Sequence, residues 1–192
     1  MKIENVSGQQ TRAVQPTIPG AFLEQARLLL STDYLPKIER CLESLGETEI
    51  WWRANEESNS IGNLVLHLCG NASQWIVSGL GGAPDRRQRQ TEFDERSPIP
   101  ASELLSRLRG TLGDVDAVLA GFDHNHLLDR FEIQRCDVTA LEAIFHVVEH
   151  FSMHAGQIFL LTKLLTATEL RFYDFEADTP VERWHAGPSG SS

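Results

Sequence analysis

From Ser58 to Pro84 the chain carries no Asp, Glu, Lys or Arg. A soluble protein accommodates such a stretch only where most of its sides are covered. Apolar residues recur through it at three- and four-residue steps (Ile61, Leu64, Val65, Leu68, Ala72, Trp75, Ile76), which is the spacing of one helix face. Its length raises the question of a membrane span. Asn63, His67, Asn71, Ser73, Gln74 and Ser78 are too many polar groups for a hydrocarbon core, and glycines interrupt the run. The other arc, Ser60, Asn63, His67, Asn71, Gln74 and Ser78, holds neutral hydrogen-bonding groups and one imidazole. That suits the wall of a polar pocket or an intersubunit face; a solvent face that happens to lack charge is the plainer alternative. Asn59 or Ser60 supplies the N-cap.

A second helix constrains the fold from the other end of the chain. Thr139, with Glu142 three residues on, forms a capping-box pattern. The apolar stripe Leu141, Ile144, Val148, Phe151, Ala155 and Ile158 then predicts a helix to about Leu165. His146, His150 and His154 lie in it four apart, and residues at that spacing stand over one another on one helix face. At about 100° per residue His150 and His154 fall at the flank of the apolar arc, turned away from Glu149. A histidine pair at this spacing is more often an ordinary interior or rim pair than a metal site, and a third imidazole is needed to change that balance.

Two further segments complete the set. One helix is expected over about Ala21–Leu45, with Pro36 kinking it near Leu35. Another is expected over about Ala101–Ala120, with Leu104, Leu105, Leu108, Leu112, Val115 and Leu119 as its stripe and Ser97 or Ser102 as its cap. Ile50-Trp51-Trp52 reads as an aromatic lid over the core or a substrate-facing wall. The segment 79–100 reads as a loop in which Arg86, Arg87 and Arg89 balance Asp85, Glu92, Asp94 and Glu95, with an anion grip as the sharper option. Residues 128–138 read as a linker, partly extended at 131–134, and Arg171–Phe175 as an aromatic segment packing back on the helices. With no convincing strand pattern, four amphipathic segments predict an all-α four-helix bundle over residues 20–176, between a flexible leader (1–19) and a flexible tail (177–192).

The chain has 192 residues and a net charge of −10, which argues against a nucleic-acid or anionic-membrane partner. Cys41, Cys69 and Cys136 are scattered and odd in number. They read as free thiols in a reducing cytoplasm, and no signal peptide is visible. His124 and His126 form an HxH in a loop without a third partner nearby and read as surface residues.

Bundle sites are built from inward side chains of facing helices, so His67, His150 and His154 can converge on one ion. Three neutral imidazoles leave a coordination position open, the pattern of a catalytic site. The donor set favours zinc, with nickel, iron(II) and manganese open on ligand type. No catalytic acid or base stands out. Asn63 and Asn71 flank His67 by one turn and are placed to orient its ring, and Gln157 or Asn63 can assist by hydrogen bonding.

Asn59–Leu68, followed far downstream by Phe145–His150 and Phe151–Ile158, resembles the DinB/YfiT-like superfamily of metalloenzymes over roughly residues 20 to 175. That family carries one His in its second helix and an HxxxH followed by Gly-Gln in its last; His67, His150, His154, Gly156 and Gln157 match. Many members have Arg where this chain has Ala155, so a role tied to that arginine does not transfer. The resemblance implies an up-down-down-up bundle, a three-histidine metal site and frequent homodimers. It also implies either transfer of a low-molecular-weight thiol to a small electrophile or metal-dependent hydrolysis, with a non-catalytic, stress-related metal-binding dimer as the alternative. His146 recurs at the analogous turn in relatives and reads as an outer or packing residue.

Overall fold

The computed structural model describes residues 17–184. Most of the leader and the last eight positions of the tail lie outside the described residues. Helix α1 (Ile18–Leu28) starts inside the expected leader. Thr17 Oγ1 accepts the Gly20 N–H at 3.2 Å, and Pro19 occupies the first turn, where its missing N–H costs nothing.

The first helical segment runs on through a widened π turn, Leu29–Tyr34, into α2 (Leu35–Glu43). Pro36 is absorbed there without breaking the segment. Proline has no N–H to offer the carbonyl four residues back, which is Thr32; the indole N–H of Trp184 donates to it at 2.9 Å. A short α3 (Glu47–Ile50) follows. Next comes α4 (Ile61–Ala72), capped by Ser60 and continued through a second π turn, Ser73–Ser78. The segment expected as a loop contains a further short helix, α5 (Arg89–Asp94). Helix α6 spans Ala101–Gly121; neither serine caps it, and Pro100 occupies the cap position. The long α7 (Ala140–Thr166) is capped by Thr139 and Glu142 as the sequence predicts.

The expectation of no strands is corrected by two antiparallel hairpins, β1 (Arg130–Ile133) with β2 (Cys136–Thr139) and β3 (Tyr173–Glu176) with β4 (Thr179–Glu182). Each turns through two residues with positive φ, Gln134-Arg135 and Ala177-Asp178, the conformation that matches strand twist. The second hairpin also corrects the tail: residues 177–184 carry β4 and the buried Trp184. Lys37 locks this hairpin to α2. Its ammonium lies 3.9 Å from the Trp184 ring centre and pairs with Asp33 and the Tyr173 hydroxyl. The fold is therefore mostly helical with two small sheets.

Helix α6 lies against α1, α2 and α4, while α7 lies against α2, α4 and both π turns. Ile38, Leu42, Ile61, Leu68, Leu104, Leu108, Leu112 and Phe151 are fully buried between them. On α7 the buried seam is Ala140, Ala143, Ile144, Val147, Phe151, Ala155 and Ile158. Leu141, expected on the inner stripe, is one position off that seam and is exposed. Trp51 behaves as the lid reading requires: its ring lies where a side chain at Gly62 would sit, and its N–H donates to the Ile99 carbonyl at 3.1 Å. No helix among the described residues is long and apolar enough to cross a membrane.

Trp184→Phe keeps an aromatic side chain but removes the donor to Thr32 and leaves part of the indole's space unfilled. The expected cost is at least about 1 kcal/mol from the lost hydrogen bond, with lost packing adding to it, read by denaturant unfolding.

Candidate metal centre

Helix α4 brings His67 to the surface of α7 that carries His150 and His154. His67 is buried and the other two are half-buried. One ring nitrogen from each lies within 4.8 Å of the other two, and the Nε2 atoms of His67 and His150 are 2.9 Å apart. Imidazoles around a tetrahedral zinc ion bind at about 2.0–2.1 Å, which places their nitrogens about 3.3 Å from one another. The triad's nitrogen spacings, from 2.9 Å to at most 4.8 Å, bracket that value. Among the described residues this is the one group of three His, Cys, Asp or Glu side chains with such geometry. His124 and His126 lie on an exposed turn where His126 pairs with Asp129 at 2.6 Å, and they take no part.

The outer nitrogens of His154 and His67 are each fixed by a neighbour. Gln157 Oε1 accepts from His154 Nδ1 at 2.7 Å, which leaves Nε2 free to coordinate. His67 Nδ1 faces Glu92 Oε2 at 2.8 Å; with the carboxylate accepting there, the lone pair of Nε2 points into the triad. Glu92 is in turn gripped by Arg87, with Nε donating to Oε1 at 2.7 Å and Nη2 to Oε2 at 2.9 Å. Gln74 Oε1 accepts from Arg87 Nη1 at 3.0 Å and its amide donates to Asp85 at 2.7 Å. Phe93 covers His67, ring to ring at 4.6 Å.

This corrects three sequence expectations. The Arg87–Glu92 pair is no solvated turn: both side chains are largely buried, directly behind His67. Asn63 does not orient His67. It clamps the end of α5 onto α4, donating to the Glu92 and Glu95 carbonyls at 2.8 and 3.1 Å and accepting from Arg53. Asn71 reaches His146, not His67, at 3.2 Å. His146 itself stacks on Trp75 at 4.2 Å, a packing role outside the triad. Nor is the neutral arc of α4 an outer face, because Ser60, Asn63, His67 and Asn71 are all buried.

Glu92 was invisible to motif reasoning, yet a trace of it existed. Gly70 lies one turn beyond His67 on the polar arc, and a Cβ there would collide with the Glu92 carboxylate. A glycine in the middle of a buried polar arc marks a close approach.

The electrostatics favour the metal-ready form. Burial, then the crowding of His154, His146 and His67, pushes His150 down to about 3. Burial also lowers His154 and His146. Burial alone would raise Glu92, but hydrogen bonds from Arg87 and His67 outweigh it and hold the carboxyl below its usual range. At neutral pH His150 and His154 are thus neutral and Glu92 is a carboxylate, the forms that suit binding of a divalent ion. Burial pushes the Cys41 thiol up to about 11 and Cys69 up to about 12, so neither is a ready thiolate.

The fold is of the DinB/YfiT-like kind. A crystal structure of a DinB-like protein from Bacillus cereus ATCC 10987 is similar to this chain, with a TM-score of 0.58 and 17% sequence identity. The match covers 80% of this chain and 95% of that one. The chain belongs to the family described as "Protein of unknown function (DUF1572)", whose profile matches residues 18–175. No curated protein matches it.

The depressed histidines make the metal-free protein sensitive to acid. An unfolded histidine titrates near 6.5. Below that, the unfolded chain takes up protons that the folded site refuses, so stability is full above about pH 6.5 and falls as the pH drops toward 3. Denaturant titrations in chelator at about pH 7.5 and pH 5 should show the drop, and His150→Asn should make it smaller.

Proposed function

We propose that His67, His150 and His154 hold one divalent ion, with zinc the metal the donor set favours, at the centre of a small-molecule enzyme. The observation that carries this reading is the convergence of three imidazoles from two helices, with His67 and His154 each aimed by a neighbour on its outer nitrogen. An ion bound by three protein ligands keeps a place for a reactant, lowers the pKa of a thiol or water that takes it, and polarises an electrophile.

Glu92 is held by His67 and Arg87 and has no freedom to act as a base. Glu149 lies on the exposed side of α7. This favours a reaction that needs no protein base, namely transfer of a low-molecular-weight thiol to a small electrophile, over hydrolysis. We take the thiol to come from outside the chain: burial keeps Cys41 and Cys69 protonated, and Cys136 stands on the β1–β2 hairpin and is no member of the triad. A cleft of about 330 Å³ lined by Ser58, Asn59, Leu64, Gln157, Leu160 and Leu161 shares Gln157 with the site and is sized for a small molecule. We assign the four long helical segments the up-down-down-up order of the DinB-like bundle. We also infer a cytoplasmic homodimer acting on neither nucleic acid nor membrane, in keeping with the acidic charge and free thiols. A metal-binding dimer without turnover is the second reading, favoured by the same lack of a free base.

Elemental analysis of protein purified without a polyhistidine tag tests the site. About one ion per chain is expected, lost in His154→Ala. Absence of bound metal after reconstitution rejects the proposal. Glu92→Gln leaves the buried Arg87 without its counter-charge, so it should lower stability in denaturant unfolding and, in the protein that remains folded, weaken metal affinity about 10- to 100-fold, read by competition with a chromogenic chelator. Turnover with a panel of thiols and electrophiles then separates the enzyme from the sequestering dimer.

A further inference from the structure

The outward side of α7 carries a set of exposed apolar residues. Leu141, Phe145, Met153, Leu160 and Leu164 are between 36% and 66% exposed. They form two rows at four-residue steps, 141-145-149-153 and 156-160-164, broken by Glu149 and Gly156. Residues four apart on a helix form a ridge. At roughly 200 Å² for a fully exposed side chain of this size, the five leave on the order of 500 Å² open on one helix, the size at which a surface patch marks an interaction site.

The rows are related to each other by a two-fold. Turn a second α7 antiparallel about an axis between Ser152 and Met153, and Leu141 faces Leu164, Phe145 faces Leu160, and Glu149 faces Gly156 of the second copy. The same operation sets Glu142 against Lys163. Lys163 is the one basic Lys or Arg on α7 and forms no ion pair among the described residues. Glu142 uses Oε2 for its cap on Thr139, at 2.7 and 2.9 Å, so that Oε1 is left for a partner. Gly156 has open space where a side chain would begin, which lets the two backbones close on Glu149. A patch that is its own complement under a two-fold is the requirement of an isologous interface.

The geometry points to this face of α7 as the contact between two copies of the chain, antiparallel and centred at 152/153. Pairing the stripes buries on the order of 1,000 Å² in total, the lower limit for a specific interface, before any flanking residue is counted. The inference rests on the two-copy assembly proposed above and replaces the arc of α4, which is buried, as its surface.

Sedimentation equilibrium of the full chain, with metal content measured on the same samples, tests it. The wild type should be a dimer. Phe145→Glu and Leu164→Glu should each raise the dimer dissociation constant at least about 100-fold, since the two-fold buries the new charge twice, with metal content unchanged. Lys163→Glu should weaken the dimer, and adding Glu142→Lys should restore it. In a Cys136→Ser background, Met153→Cys should cross-link between chains. A wild type that stays monomeric overturns both the dimer and its face. A dimer indifferent to Phe145→Glu and Leu164→Glu overturns the face alone, and neither result touches the metal reading.

Discussion

A buried carboxylate behind a buried imidazole is tolerable only if that carboxylate is itself paired, and the organisation of this protein follows from that requirement. Glu92 meets it by accepting from His67 on one side and Arg87 on the other. A buried carboxylate stripped of such partners would cost several kcal/mol. Arg87 therefore stabilises the fold and sets the direction of a lone pair two groups away. The segment between α4 and α6 is held in place by this pair and by Asn63, which pins the last turn of α5 through two carbonyls. Site and loop are one structure: the contacts that close the loop over α4 also aim His67.

The helices themselves were legible because their signals are local. Thr139 with Glu142, Ser60 ahead of a charge-free run, and the leucines of α6 each state a helix within one or two turns of chain. The triad was legible as a spacing, since four-residue steps on α7 must share a face. What could not be read was anything decided by packing between distant segments. The Arg87–Glu92 pair has the composition of an ordinary solvated turn, and only the approach of that turn to Gly70 buries it.

The hairpins were missed for a different reason. Their turns use Gln134-Arg135 and Ala177-Asp178 with positive φ, where a glycine or asparagine would have announced the turn. A left-handed conformation costs such residues about 1–2 kcal/mol each, so tertiary contacts must hold them. For the second hairpin those contacts are Trp184 on Thr32 and Lys37 among the aromatic rings. Pro36 is the residue that links this to the sequence. Read locally it predicts a kink; in three dimensions the carbonyl it leaves without a helical donor becomes the docking point of a tryptophan far along the chain.

X-ray absorption at the metal edge of protein purified without a polyhistidine tag bears most directly on this account. Three imidazole nitrogens at about 2.0–2.1 Å, with one further light-atom neighbour, are expected. In His67→Ala the imidazole count should fall by one. A first coordination sphere built from thiolate or carboxylate, or a spectrum unchanged by loss of His67, would contradict the convergence of these three rings on one ion.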